Sequence, residues 1–162
     1  MNWTGIQLSA ATGGVLRSGG ERVCTGVSTD TRSIREGDLF VPLRGAHFDG
    51  HRFITDALSR GGCGCLVEAG IDLSATVANE LVFIEVADTL TALGDLATLH
   101  LDAMKTEIVG ITGSNGKTTT KDMVATILGH FGSVSSTHGN FNNLIGHKCI
   151  STAIKRMKAF NI

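Results

Sequence analysis

The chain of 162 residues carries 42% apolar and 18% charged side chains with a formal net charge of −1. That balance excludes disorder, and no apolar run reaches the roughly 20 residues a membrane helix requires. The uncharged opening from Met1 to Leu16 has no basic start and is interrupted by Thr4, Gln7, Ser9 and Thr12, so neither a secretory leader nor membrane insertion is expected.

In chain order, short strands are predicted at Asp38 to Leu43, Cys65 to Glu68 and Leu81 to Val86. Between the first two, Phe53, Ile54, Ala57 and Leu58 fall at helical spacing in a helix over 51–60 that Gly61-Gly62 stops. A helix from Asp88 to about Met104 places Leu90, Leu93, Ala97, Leu101 and Met104 on one stripe, with Asp88 as N-cap. It joins two domains. The pattern then restarts with a strand over 107–112, a glycine-rich bend, and a helix from Lys117 to about Phe131 whose inner face is Met123, Val124, Ile127, Leu128 and Phe131. A further short strand is expected at Ser133 to Ser136. Alternating strands and helices of this kind read as an α/β fold.

The four cysteines, Cys24, Cys63, Cys65 and Cys149, show neither paired zinc spacing nor a disulfide framework, so reduced thiols in a cytoplasmic protein are the expectation. Cys63-Gly64-Cys65 reads as small buried residues at the start of a strand rather than a metal site. Charge is uneven: residues 1–146 sum to −5 and 147–162 to +4. Lys148, Lys155, Arg156 and Lys158 lack interleaved aromatics and read as a solvated end, not a nucleic-acid surface.

One segment constrains chemistry more tightly. Ile108 to Thr120 reads apolar strand, glycine bend, Lys117, then three hydroxyls opening a helix. Glycines let backbone N–H groups close around phosphate oxygens, the helix adds its positive end, Lys117 supplies a point charge, and the Thr118 hydroxyl suits Mg²⁺. Gly113, Ser114, Asn115, Gly116, Lys117, Thr118 and Thr119 are therefore the candidate phosphate-binding residues, with Thr118 the candidate metal ligand. The common pattern has a glycine where this chain has Ile111.

Gly110-Ile111-Thr112-Gly113-Ser114-Asn115-Gly116-Lys117-Thr118-Thr119-Thr120 resembles the ATP loop of the Mur ligases, which also lacks that glycine. Thr29-Asp30-Thr31-Arg32, Gly37-Asp38-Leu39-Phe40-Val41, Arg44-Gly45 and Phe48-Asp49-Gly50-His51 resemble the family's first domain, which holds a UDP-sugar. Thr137-His138-Gly139-Asn140-Phe141-Asn142-Asn143 resembles a segment of the member that joins D-alanyl-D-alanine to UDP-N-acetylmuramoyl-tripeptide; the lysine- or diaminopimelate-adding relative is the alternative. The resemblance implies a UDP-substrate domain over 1–87, a linker helix over 88–105, the start of a P-loop central domain over 106–146, and a divergent basic tail over 147–162. It implies ATP bound by Gly113, Ser114, Asn115, Gly116, Lys117, Thr118 and Thr119, with Lys117 and Thr118 the catalytic pair, Mg²⁺ on Thr118, and an acyl phosphate on the substrate's terminal carboxylate. Asp30, Thr31, Arg32, Asp49, His51, Thr137, Asn140, Asn142 and Asn143 are the implied UDP-substrate contacts.

The residues themselves leave bland readings open. Asp30 and Arg32 also suit a surface turn with a weak ion pair, Asp49-Gly50-His51 a helix-opening turn, and the asparagines an ordinary loop. After Gly146 the family's pattern is not continued, which reads as a shifted frame or truncated gene whose product is inactive alone. A non-catalytic binding module for UDP-sugar or nucleotide is the second reading.

Overall fold

The computed structural model describes residues 2–45, 47–71, 80–104, 109–112, 114–134, 136 and 158–161. Gly113, Thr137, Asn140, Asn142 and Asn143 lie outside the described residues, as does 147–157, most of the expected divergent tail.

Strand β1 (Trp3–Thr4) runs directly into helix α1 (Gly5–Thr12). Thr4 Oγ1 accepts from the Gln7 N–H at 3.3 Å while Gln7 Oε1 accepts from the Thr4 N–H at 2.9 Å, a reciprocal cap of two otherwise orphaned donors. Strands β2 (Val15–Ser18), β3 (Val23–Cys24), β4 (Gly26–Ser28) and β5 (Asp38–Phe40) follow, then a hairpin of β6 (Arg44–Gly45) and β7 (Phe48–Asp49). A 3-10 turn (Gly50–Phe53) leads into α2 (Ile54–Ser59), then β8 (Gly64–Glu68), β9 (Val82–Val86) and α3 (Thr89–Met104). Asp88 opens α3 as expected, its Oδ1 accepting from the Thr91 N–H at 2.6 Å and from the Thr91 hydroxyl.

Five strands form one sheet in the order β2-β9-β8-β5-β4, with β4, β5, β8 and β9 parallel and β2 antiparallel at one edge. Both faces are covered, so the central strands read as apolar runs instead of alternating with polar residues. Toward α1 and α3 the sheet presents Leu39, Leu66, Val82, Ile84 and Val86, packed with Leu8, Ala92 and Leu96. Toward α2 it presents Phe40, Cys65, Val67 and Phe83, packed with Ile54 and Ala57. Each such side chain contributes roughly 1.5–3 kcal/mol by leaving water, which makes these two layers the dominant stabilising term.

The expectation of reduced thiols is corrected for one pair. Cys24 and Cys63, 39 residues apart, are joined in a disulfide with Cα atoms 6.0 Å apart, both sulfurs buried in the α1/α3 layer. Local spacing could not reveal this, because the fold brings together the end of β3 and the residue before β8. Cys65 faces the other layer as a free buried thiol, and burial pushes it up to about 12.

The second unit contains β10 (Val109–Thr112), α4 (Lys117–Gly129) and β11 (Lys158–Asn161). β10 pairs in parallel with β11, Val109 opposite Lys158 and Thr112 opposite Asn161. Two expectations fail here. Ser133, Val134 and Ser136 are not in a strand, and β11 is the strand beside β10. The anticipated inner face of α4 is exposed: Met123 at 60%, Ile127 at 58%, Leu128 at 40% and Phe131 at 85%, with only Val124 half-buried. Helical spacing marks these residues as one apolar stripe, but no described element covers it.

Candidate functional site

Two groups of residues come together, one on each unit. On the second, β10 ends at Thr112 and the bend 114–116 delivers Gly116 into the left-handed region at φ +74°. An L-residue there pays for a close Cβ–carbonyl contact, which glycine avoids. Gly116 is also the N-cap of α4 and offers no side chain to the first-turn N–H groups. Lys117, half-buried, turns back so that its Nζ donates to the Ser114 carbonyl at 3.5 Å, placing the ammonium across the mouth of the bend. Thr118 and Thr119 lie exposed on the same first turn.

This donor set fits a triphosphate. A positive helix end, a bend of small residues and a folded-back lysine converge, and among the described residues none beyond its chain neighbours lies within 4 Å of the position a Gly116 Cβ would take. Among the described residues there is no cluster of three His, Cys, Asp or Glu side chains that could hold a metal. On this first turn the exposed Thr118 hydroxyl is the side chain that would hold a Mg²⁺ ion beside bound phosphates.

The other group lies at the C-terminal rim of the parallel strands, where α/β sheets bind ligands. The loop after β4 is an Asx-type turn. Asp30 Oδ1 accepts from the Arg32 N–H at 2.9 Å, and Arg32 Nη2 meets Asp30 Oδ2 at 2.6 Å. The Arg32 guanidinium, then its backbone N–H, hold the Asp30 carboxyl down at about 2. With Arg32 86% exposed, this pair does little for stability and leaves the guanidinium reachable from solvent. Thr31 faces α2, where Asp56 is held below its usual range first by Arg60 and then by the Thr31 hydroxyl.

The loop after β5 is the β6–β7 hairpin. Asp49 Oδ1 accepts from the His51 N–H at 3.0 Å and lies 2.7 Å from His51 Nδ1, while Asp49 Oδ2 meets Arg44 Nη2 at 3.2 Å. These hydrogen bonds from His51, backbone first and ring second, hold Asp49 down at about 2, with the Arg44 charge adding to them. The His51 side chain is only 4% exposed and both ring nitrogens are engaged within the protein.

Sequence reasoning missed Glu68 and the second partnership of Arg44. Arg44 Nη1 meets Glu68 Oε2 at 2.8 Å. It also missed a stacked aromatic pair on this rim, Phe48 and Phe53, with centroids 5.7 Å apart and the two residues 56% and 40% exposed. Phe53 falls at helical spacing with Ile54, Ala57 and Leu58, yet it precedes α2 and is exposed while Ile54 and Ala57 are buried. A groove of about 490 Å³ runs along edge strand β4 between Thr25, Gly26, Arg35, Glu36 and Asp38, away from the rim apart from Ser28 and Ser33.

Residues 23–100 match the Mur ligase family catalytic domain, and residues 111–160 match the Mur ligase middle domain, a match that continues past Gly146. The UDP-N-acetylmuramoyl-tripeptide–D-alanyl-D-alanine ligase of Bacillus subtilis is 45% identical over 126 residues, 78% of this chain and 27% of that protein. A MurF crystal structure from Acinetobacter baumannii superimposes with a TM-score of 0.76 at 30% identity, over 100% of this chain and 36% of the other. A MurF ligase from Thermotoga maritima, solved in complex with ADP, gives 0.66 at 30% identity over 84% and 31%. The chain thus spans about a third or less of the relatives it matches.

Proposed function

Given that the chain belongs to the Mur ligase family, we propose that it carries the UDP-substrate domain and phosphate-binding loop of a ligase joining D-alanyl-D-alanine to UDP-N-acetylmuramoyl-tripeptide. The observation that carries the nucleotide half is the left-handed Gly116 opening α4 with Lys117 folded over the Ser114 carbonyl. In that reading, Ser114 to Thr119 hold the ATP phosphates, with Gly113 completing the loop. Lys117 meets the outer phosphates and Thr118 the Mg²⁺. ATP supplies the phosphoryl group that activates the substrate's carboxylate.

What the chain's own residues do there is electrostatic and positional. The bend fixes donors before the nucleotide arrives, so little reorganisation accompanies the build-up of charge. Lys117 remains a compact cation that can follow the transferring group, whereas the backbone N–H groups stay fixed. The first unit presents Asp30, Thr31 and Arg32 on the sheet's C-terminal rim for the UDP-bearing substrate, with Thr137, Asn140, Asn142 and Asn143 as further proposed contacts. Because these residues make up about a quarter of a curated relative's length, turnover is proposed for the complete ligase and binding for this segment.

Calorimetric titration of the 162-residue chain with MgATP and, separately, with UDP-N-acetylmuramoyl-tripeptide tests both halves. Both ligands should bind, and Lys117→Ala should abolish nucleotide binding while sparing the UDP-substrate. Nucleotide binding that survives Lys117→Ala, or absence of both interactions in the unmodified chain, overturns the proposal.

A further inference from the structure

The β6–β7 hairpin contains only two residue pairs, Arg44 opposite Asp49 and Gly45 opposite Phe48. A two-stranded ribbon of that size does not hold itself in water. Its anchor is His51, in the turn that follows. Nδ1 lies 2.7 Å from Asp49 Oδ1, and Nε2 accepts the Glu68 backbone N–H at 3.3 Å. A backbone N–H only donates, so Nε2 presents its lone pair and the ring proton sits on Nδ1, donated to Asp49. The ring is thereby neutral, in one tautomer and in one orientation, tying the base of the hairpin to the last residue of β8.

The connection continues outward. Arg44 bridges Asp49 at 3.2 Å and Glu68 at 2.8 Å, and Glu68 Oε1 accepts from the Thr89 hydroxyl at 3.4 Å in the first turn of α3. Arg44 thus supplies one positive charge against two carboxylates, with a neutral ring beside them. The cluster carries net negative charge, so it repels a phosphate and Arg44 is occupied as a strut. What the cluster holds in place is the hairpin's outer surface, including exposed His47 and the Phe48 ring stacked on Phe53, on the same rim as the Asp30–Arg32 turn.

We infer that His51 is a positioning residue for the UDP-bearing substrate, fixing the 44–49 hairpin against β8 through a single imidazole tautomer. This rests on the proposal that the rim receives that substrate. Asp49 and His51 therefore act through the hairpin and make no direct contact with the ligand.

The test uses the whole chain and two substitutions that each keep half of the connection. His51→Asn retains an amide donor for Asp49 but loses the acceptor for Glu68; His51→Gln reaches the Glu68 N–H but loses Asp49. Affinity for UDP-N-acetylmuramoyl-tripeptide is measured by calorimetry well below each variant's unfolding transition, so that only folded protein is compared. Both variants should bind roughly tenfold more weakly, while MgATP affinity stays unchanged. In the unmodified chain, ¹⁵N shifts of the imidazole should show a protonated Nδ1 and unprotonated Nε2, and the Glu68 amide should exchange slowly. If a variant fails to fold, the exposed-side change Arg44→Gln takes its place, with the same direction of effect expected.

Unaltered UDP-substrate affinity in folded variants would overturn the positioning role alone, as would a ring proton on Nε2. Loss confined to stability, with affinity intact, would also count against it. No binding by the unmodified chain would instead overturn the ligand assignment, and the positioning role with it.

Discussion

Replacing Gly116 with alanine isolates the physical basis of the nucleotide site. The residue sits at φ +74°, and among the described residues none beyond its chain neighbours lies within 4 Å of where the new methyl group would project. The substitution therefore introduces backbone strain without a collision. An L-residue in the left-handed region costs roughly 1–2 kcal/mol relative to glycine. Because the bend is exposed, the free chain escapes most of that strain by relaxing, and the cost returns when phosphate requires the original geometry. Nucleotide affinity should fall roughly five- to thirtyfold, at about 1.4 kcal/mol per decade, while global stability falls by no more than about 1–2 kcal/mol. Gly116→Asn should lie between, since asparagine tolerates this conformation better. Titration with MgATP at 25 °C, alongside urea denaturation, measures both quantities. Wild-type affinity in the alanine variant would refute the strain argument. Equal losses in the alanine and asparagine variants would shift the blame to the side chain itself.

Asp49 supplies a pH prediction. Its native carboxyl is held at about 2 by His51 and Arg44, below the unfolded value of roughly 3.9. A depressed acid stabilises fully above the unfolded value and loses that contribution as pH falls through the folded one. Asp49→Asn should therefore be less stable than wild type near neutrality and converge with it between about pH 4 and 2. Urea midpoints across that range check this, and parallel curves would refute it. The thiol count is equally decisive. The chain has four cysteines, of which Cys24 and Cys63 are bonded to each other. Denatured without reductant, it should release two reactive thiols, Cys65 and Cys149, and four after reduction. In the native state Cys65 should stay silent, being buried with its thiol pushed up to about 12. Four thiols without reductant would exclude the bond.

The central strands were legible because short apolar runs rich in β-branched and aromatic residues leave few alternatives: Leu66 and Val67, then Val82 to Val86, fall within a residue or so of the expected limits. The N-cap at Asp88 and the start of α4 at Lys117 were legible from local chemistry alone. Helix α1 was overlooked although its Thr4–Gln7 box is written in the sequence, because eight residues give too short a period to stand out. What local patterns cannot carry is partnership over distance. The joining of Cys24 to Cys63, the reach of Arg44 to Glu68 and the pairing of β10 with β11 all depend on which distant segments the fold brings side by side. The exposure of Met123, Ile127 and Phe131 shows the same limit from the other direction: periodicity reports that a stripe is apolar, not that anything lies against it.

The two-sided clothing of β8 makes its alignment with β9 discrete. Cys65 lies opposite Phe83 and Leu66 opposite Ile84. A slip of one position would exchange the layers, thrusting Leu66 among Phe40 and Phe83 and turning Cys65 and Val67 toward Leu8. A slip of two restores the layers but carries Gly64 away from the Val82 carbonyl, into whose space any Cβ would intrude. The strand can thus neither creep nor skip, and Glu68 at its end becomes a fixed datum from which the hairpin is measured.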